Sequence, residues 1–305
     1  MTGAPSSRAW LINALATVVL WGVWGAFSGL SPERGFPETL VYCVWALTMI
    51  PPALIVLAGT GWKLDRDPRA IGYGLAVGLL GAGGQMVLFY AVARGPAYLI
   101  FPIVSLSPVI TIALSFLLMG ERTGRLGAVG IILALLALPT FDFAPGGGPG
   151  GGGAAWLIPA FLVMLCWGVQ AYFMKAANNV MSAESIFVYM TLTGLLLIPI
   201  AWAMTDFGKP INWGPSGPWL AAAIQVLNAI GALTLVFAFR YGKAIIVAPL
   251  ANAGAPLATA LLSLLVLGIV PGPLKAAGIA LALIASLLLA IEPDASDKAK
   301  TPIAT

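Results

Sequence analysis

"VVLWGVWGAFSGL" occupies Val18–Leu30, and "VMLCWGVQAYF" occupies Val163–Phe173. Each is an apolar run, then Trp-Gly-Val, then an aromatic-rich turn. The same unusual phrase stands twice, about half a chain apart. Composition explains its surroundings. Of 305 residues, 60% are hydrophobic and only 9% charged, and the mean hydropathy is +0.98. A soluble domain is nearer one quarter charged, so the solvent this chain suits is a bilayer. Length alone suggests about two domains.

Several classes drop out at once. The net charge of +4 arises in loops, and no basic cluster with interleaved aromatics points to nucleic acid. Cys43 and Cys166 each lie inside a hydrophobic stretch, which indicates neither a disulfide framework nor a thiolate metal site. There is no histidine. No cofactor is expected.

Ten apolar stretches have roughly the 18–25 residues that cross a hydrocarbon core of about 30 Å. They fall near Ala9–Ser31, Glu38–Gly59, Ala70–Ala93, Pro96–Met119 and Gly124–Phe141, then Ala154–Ala177, Ser182–Met204, Pro218–Phe239, Ala244–Gly268 and Gly272–Ile291. They must be helices, because each must satisfy its own backbone in lipid. The first is read as a span rather than a signal peptide, since it has a partner in the second half. With the N-terminus inside, the inner loops hold Lys63, Arg66, Arg69, Arg122, Arg125, Lys175, Arg240 and Lys243, against Arg34, Arg94, Lys209 and Lys275 outside. That bias places both termini in the cytoplasm.

The repeat extends beyond the opening phrase. Thr111, Ser115, Gly120 and Gly130 meet Thr259, Ser263, Gly268 and Gly278 at one constant offset, and Pro108 meets Pro256. Pro102 meets Pro249 after a one-residue slip. "APGGGPGGGGAA" between the halves has the composition of a plain external loop. The expected organisation is a first five-helix repeat over 1–144, a linker over 145–153, a second repeat over 154–292 and a cytoplasmic tail over 293–305. Five is odd, so the second repeat enters the membrane inverted. "GERTGR" at Gly120–Arg125 then falls inside, while its uncharged counterpart "GIVPGP" at Gly268–Pro273 falls outside. Inverted repeats are an architecture of alternating-access carriers, with the substrate near the midplane between the halves.

Ten spans in a five-plus-five inverted repeat, with Trp-Gly in the first and sixth, resemble the drug/metabolite transporter superfamily, EamA-type branch. "YLIFPIVSLSPVITIALSFLLMGE" (Tyr98–Glu121) is similar to that family's fourth helix, ending in Gly-Glu. The second half departs from the pattern, with Gly268-Ile269 where Gly-Glu often stands. The resemblance implies a carrier of the bacterial inner membrane, commonly an exporter of amino acids or other small metabolites. It also implies a cavity lined by the first, third, fourth, sixth, eighth and ninth helices.

The predicted membrane interior carries essentially no charged side chain. Glu121 beside Arg122 reads as an interfacial charge pair or packing element, Lys175 and Arg240 as snorkelling anchors. Gln85, Gln170, Gln225, Asn228 and Asn252 fall near the middle of their spans, where amides either bond neighbouring helices or meet a substrate. Ser105 aligns with Asn252 across the repeat. Trp21, Trp24 and Trp167 lie deep in the repeat-related first and sixth helices, with Tyr90 and Tyr172 near them. The expected binding set is Trp21, Trp24, Gln85, Tyr90, Ser105, Trp167, Gln170, Tyr172, Asn228 and Asn252. Pro102, Pro108, Pro249 and Pro256 are expected to interrupt the fourth and ninth helices as hinges. "GLLGAGG" (Gly78–Gly84) gives the third helix a small-residue face.

These residues point to a secondary carrier, working as a monomer or homodimer, for a neutral, zwitterionic or mildly cationic metabolite. An amino acid leads and a lipophilic cation follows. A passive channel is the alternative from another class. A membrane-embedded enzyme has neither histidine nor intramembrane carboxylate to use as a base.

Overall fold

A bilayer offers peptide groups no hydrogen-bond partner, so each apolar segment must close its own backbone bonds. Every regular element among the described residues is helical. The computed structural model describes residues 8–92, 100, 103–104, 106–142, 156–267 and 272–291. The first half contains α1 (Ala9–Phe27), α2 (Leu30–Glu33), α3 (Glu38–Thr48), α4 (Ile50–Gly59), α5 (Pro68–Val92), α6 (Ser107–Leu118) and α7 (Arg125–Asp142). The second contains α8 (Leu157–Ala177), α9 (Ala183–Leu196), α10 (Ile198–Ala203), a π-turn (Pro215–Trp219), α11 (Leu220–Tyr241), α12 (Ala244–Leu267) and α13 (Pro273–Ala290). Six segments are long and apolar enough to cross a membrane, and four shorter apolar helices complete ten.

The second and seventh spans break at matching places. α3 gives way to α4 at Met49, just before Pro51 and Pro52, and α9 gives way to α10 at Leu197, just before Pro199. Pro51 and Pro199 are related by the offset that relates Thr111 to Thr259. Proline has no N–H and crowds the preceding turn, so both breaks share one cause.

The fourth and ninth spans do not match. α6 starts at Ser107 with Pro108 in its first turn, where a missing N–H is harmless. α12 instead runs as one helix from Ala244 to Leu267 through both Pro249 and Pro256. The expected interruption of the ninth helix is therefore corrected. Its neighbours α1, α6, α7 and α13 hold it along its length, and packed neighbours let a membrane helix tolerate proline.

The halves are interleaved. α1 packs on α11 and α12 of the other half, and α8 packs on α5 and α6. α7 and α13, the fifth helix of each repeat, pack on each other. Each partner list becomes the other when the halves are exchanged, as two inverted five-helix repeats require. The principal core joins both halves, with Met49, Val77 and Leu138 beside Phe187, Phe239 and Leu250. In lipid, close backbone approach rather than water exclusion drives such contacts. Gly22 provides it against Ala258, and Gly168 provides it against Ile110 and the Ser107 carbonyl.

Candidate functional site

Two glycines and two threonines pin the halves together. Thr111 Oγ1 donates to the Gly168 carbonyl at 2.9 Å, and its repeat counterpart Thr259 Oγ1 donates to the Gly22 carbonyl at 3.0 Å. The opening phrase is therefore written twice because each copy presents a glycine to the opposite half's threonine.

One residue before each glycine, an indole seals a second contact. Trp21 Nε1 donates to the Asn228 carbonyl at 3.3 Å, and its ring sits against Gly231. Trp167 Nε1 donates to the Gly81 carbonyl at 3.2 Å, and its ring sits against Gly84. Trp21, Trp167 and Asn228 are each the middle residue of their spans, Ala9–Glu33, Leu157–Ala177 and Pro215–Tyr241. Both tryptophans thus join the halves near mid-membrane.

Around them the two seams diverge. On the α1–α11 side, Trp24 Nε1 donates to Gln225 Oε1 at 3.1 Å, and Asn228 Nδ2 reaches the same oxygen at 3.4 Å. Gln225 is only 5% exposed, so this carbonyl is the buried hub of the cluster. On the α5–α8 side, the half-buried Gln170 lies over Gly81 and makes no hydrogen bond among the described residues. The small-residue face of α5 takes close contacts at four glycines, while Gly83 in the same stretch meets none among the described residues. Gly74, Gly78, Gly81 and Gly84 receive Tyr189, Thr193, Gln170 and Trp167 in turn.

The remaining expected site residues form no bond to one another among those described. Half-buried Gln85 makes no hydrogen bond among the described residues. Asn252 Nδ2 bonds Ala248 O of its own helix at 2.9 Å. Tyr172 meets Phe173 edge-on at 5.6 Å, and Tyr90, at the end of α5, is 45% exposed. Pro249 is buried within α12, and the Pro256 side chain, Ser105, Pro102 and Arg94 lie outside what is described.

The end of the bundle that carries most of the charges is tied across the halves. Asp65 Oδ2 accepts from Ser182 N at 2.8 Å and Ser182 Oγ at 2.7 Å, while Ser185 Oγ accepts from Asp65 N at 3.0 Å. Partial burial alone would raise the Asp65 carboxyl. The bonds from Ser182 and Ser185, with the Arg240 charge, outweigh that and hold it below the usual carboxylate range. Glu121, expected as an interfacial charge pair with Arg122 or a packing element, accepts from Ile245 N at 3.0 Å at the start of α12, where the helix dipole favours an anion. Gly120, at φ +67°, makes the left-handed turn that presents it. Arg122 stacks over Phe116 at 3.9 Å, and Lys243 Nζ donates to the Arg122 carbonyl at 2.9 Å.

Lys175, expected as a snorkelling anchor, donates to Phe239 O at 3.0 Å and Gly242 O at 2.6 Å and so caps unpaired carbonyls at the end of α11. Sequence reasoning passed over the Asp65–Ser182–Ser185 tie; Ser182 three residues before Ser185, opening an apolar run, was the available signal.

An uncharacterised protein of Methanocaldococcus jannaschii is 27% identical over 128 residues, 42% of this chain and 92% of that protein, so the relative is about half as long. Protein RarD of Streptomyces exfoliatus is 25% identical over 265 residues, covering 83% of this chain and 78% of RarD. A solved crystal structure superposes with a TM-score of 0.74 at 20% identity, over 93% of this chain and 98% of its own, a likeness of fold alone. Residues 8–139 and 154–291 each match one copy of a single family domain, and the chain, a multi-pass membrane protein, belongs to the EamA-like transporter family.

Proposed function

We propose that this transporter is a secondary carrier of the bacterial inner membrane, with both termini cytoplasmic. It exports a neutral or zwitterionic small metabolite, an amino acid or a derivative, by alternating access. The observation that carries the reading is the pair of matched seams, whose mid-span polar groups are all uncharged. Seams built twice and interleaved supply two related surfaces that can rock about one central point.

The division of labour follows from hydrogen bonding. Gln225 Oε1 is occupied by Trp24 and Asn228, so Gln225 positions the cluster. Gln170 keeps its amide donors and acceptor for a substrate. One amide can accept from an ammonium and donate to a carboxylate, which suits a zwitterion. An indole face attracts a cation by about 0.5–2 kcal/mol, a further hold on the amino end.

A thermal-shift screen of purified protein against amino acids, quaternary amines and nucleosides tests the substrate class. Stabilisation by amino acids, lost in Gln170→Ala but not in Lys209→Gln, supports it. Stabilisation by quaternary amines alone, with amino acids inert, would replace it with a lipophilic-cation exporter.

A further inference from the structure

Away from the seams, an apolar groove of about 390 Å³ opens on the outer surface between α6 and α7. Val109, Ile112, Ala113, Phe116, Leu117 and Leu135 line it, with no polar lining atom. Leu117 is 71% exposed and Phe116 45%, so this face meets the lipid. We propose that the groove holds one acyl chain of an anionic phospholipid, whose phosphate is bound by the cations at its charged end.

Three observations select that occupant. First, Arg122 stands directly over the Phe116 ring at 3.9 Å, so a guanidinium caps one end of an otherwise apolar groove. Second, the surrounding charge is positive. Arg125 opens α7, and Lys243 Nζ bonds the Arg122 carbonyl at 2.9 Å. The loop's one acid, Glu121, is engaged by Ile245 N, and among the described residues neither arginine is in an ion pair. Third, the length fits one leaflet. Ten residues separate Arg125 from Leu135 on α7, about 15 Å at 1.5 Å per residue, which is half of a hydrocarbon core about 30 Å thick. Cations then stand at headgroup level and the groove ends near the midplane.

The repeat supplies an internal contrast, because the corresponding loop, Gly268–Pro273, has no charge in its sequence. The inference needs only the membrane-spanning fold. That the leaflet is the cytoplasmic one rests on the orientation proposed above, so binding and leaflet are tested separately.

Native mass spectrometry of the protein from mixed phosphatidylglycerol and phosphatidylcholine nanodiscs is the experiment. Wild type should retain one phosphatidylglycerol in preference to phosphatidylcholine. Arg122→Gln with Arg125→Gln should weaken that preference about thirtyfold, taking about 1 kcal/mol per cation near an anionic surface. Ala113→Trp, which fills the groove without altering charge, should release the same lipid. Lys209→Gln, an exposed change elsewhere, should leave it bound. Equal retention of both lipids, or retention unchanged by Ala113→Trp, overturns the proposal. So does a dimer that dissociates in Ala113→Trp, since the groove would then seat a second copy. Four spans separate the N-terminus from Arg122 and Arg125 and so leave them on one face. With phosphatidylglycerol confined to one leaflet of asymmetric vesicles, retention should come from the leaflet on the side of the N-terminus, and retention only from the other leaflet would overturn the site.

Discussion

The α1–α11 seam and the α5–α8 seam are two copies of one joint with different polar fittings. Both have an indole on a backbone carbonyl and a glycine beneath the ring, and beside each the Trp-Gly glycine takes a threonine from a third helix, α12 or α6. In the first, Trp24, Gln225 and Asn228 bond one another. In the second, glycines stand on α5 where α11 carries amides, and Gln170 lies over one of them, Gly81, without a hydrogen-bond partner among the described residues. Duplication conserved the backbone joint, while the side chains around it divided into a closed cluster and an open amide. A ligand held between the seams, as proposed above, would meet different groups at its two ends, which suits a ligand whose ends differ.

The largest effect should come from the shared joint. Gly168→Leu drives a side chain into Ile110 and the Ser107 carbonyl, and Gly22→Leu drives one into Ala258. Overpacking of this kind costs about 1–3 kcal/mol or more, so both variants should lose folded yield in detergent. If the seams are true equivalents, the two losses will be comparable; a tolerated Gly22→Leu would break the equivalence.

Next come the fittings. Gln225→Leu leaves Trp24 Nε1 and Asn228 Nδ2 without their acceptor, and should lower stability by about 1–2 kcal/mol in a thermal melt. Gln170→Leu removes no hydrogen bond among the described residues and should melt like wild type while losing ligand-induced stabilisation. Equal destabilisation by the two would erase the contrast between closed and open seams.

Asp65→Asn tests the charged end and should cost about 1 kcal/mol or less, since the group is partly solvated. The folded carboxyl titrates below its ordinary value. Its contribution is therefore complete above that value and disappears as pH falls through the lowered one. Wild type and variant should differ at neutral pH and converge in acid; a gap that widens in acid would contradict the tie. Smallest of all, Thr111→Val and Thr259→Val should each cost about 0.6 kcal/mol. A clear inequality between them would mean the two crossings are unequally tight.

The fold was legible because its signals are strong. Unbroken apolar length marks spans, and paired Trp, Gly and Pro positions mark the repeat where leucines cannot. Glu38–Gly59 and Ala244–Gly268 fall on their observed helices within a residue. The matched breaks before Pro51 and Pro199 were equally available in the sequence, in proline positions at the repeat's own offset. Side-chain destinations were not. Trp21 reaches the Asn228 carbonyl only because α1 is rotated to face α11, and hydropathy says nothing of rotation. Lys175 lies at a helix end, where snorkelling is the usual outcome, but which carbonyls its ammonium caps depends on how α8 sits beside the end of α11. Prolines marked the fourth and ninth spans alike, but whether a helix breaks at proline depends on what packs beside it.

The central claim is that a neutral site between the two seams carries a zwitterion through alternating access. Counterflow in proteoliposomes tests it most directly, with vesicles preloaded with unlabelled amino acid and a trace of labelled amino acid outside. Wild type should show a transient, saturable accumulation of label, absent in Gln170→Ala vesicles containing equally folded protein. Uptake that rises linearly with concentration and shows no overshoot, or an overshoot unchanged in Gln170→Ala, would contradict it.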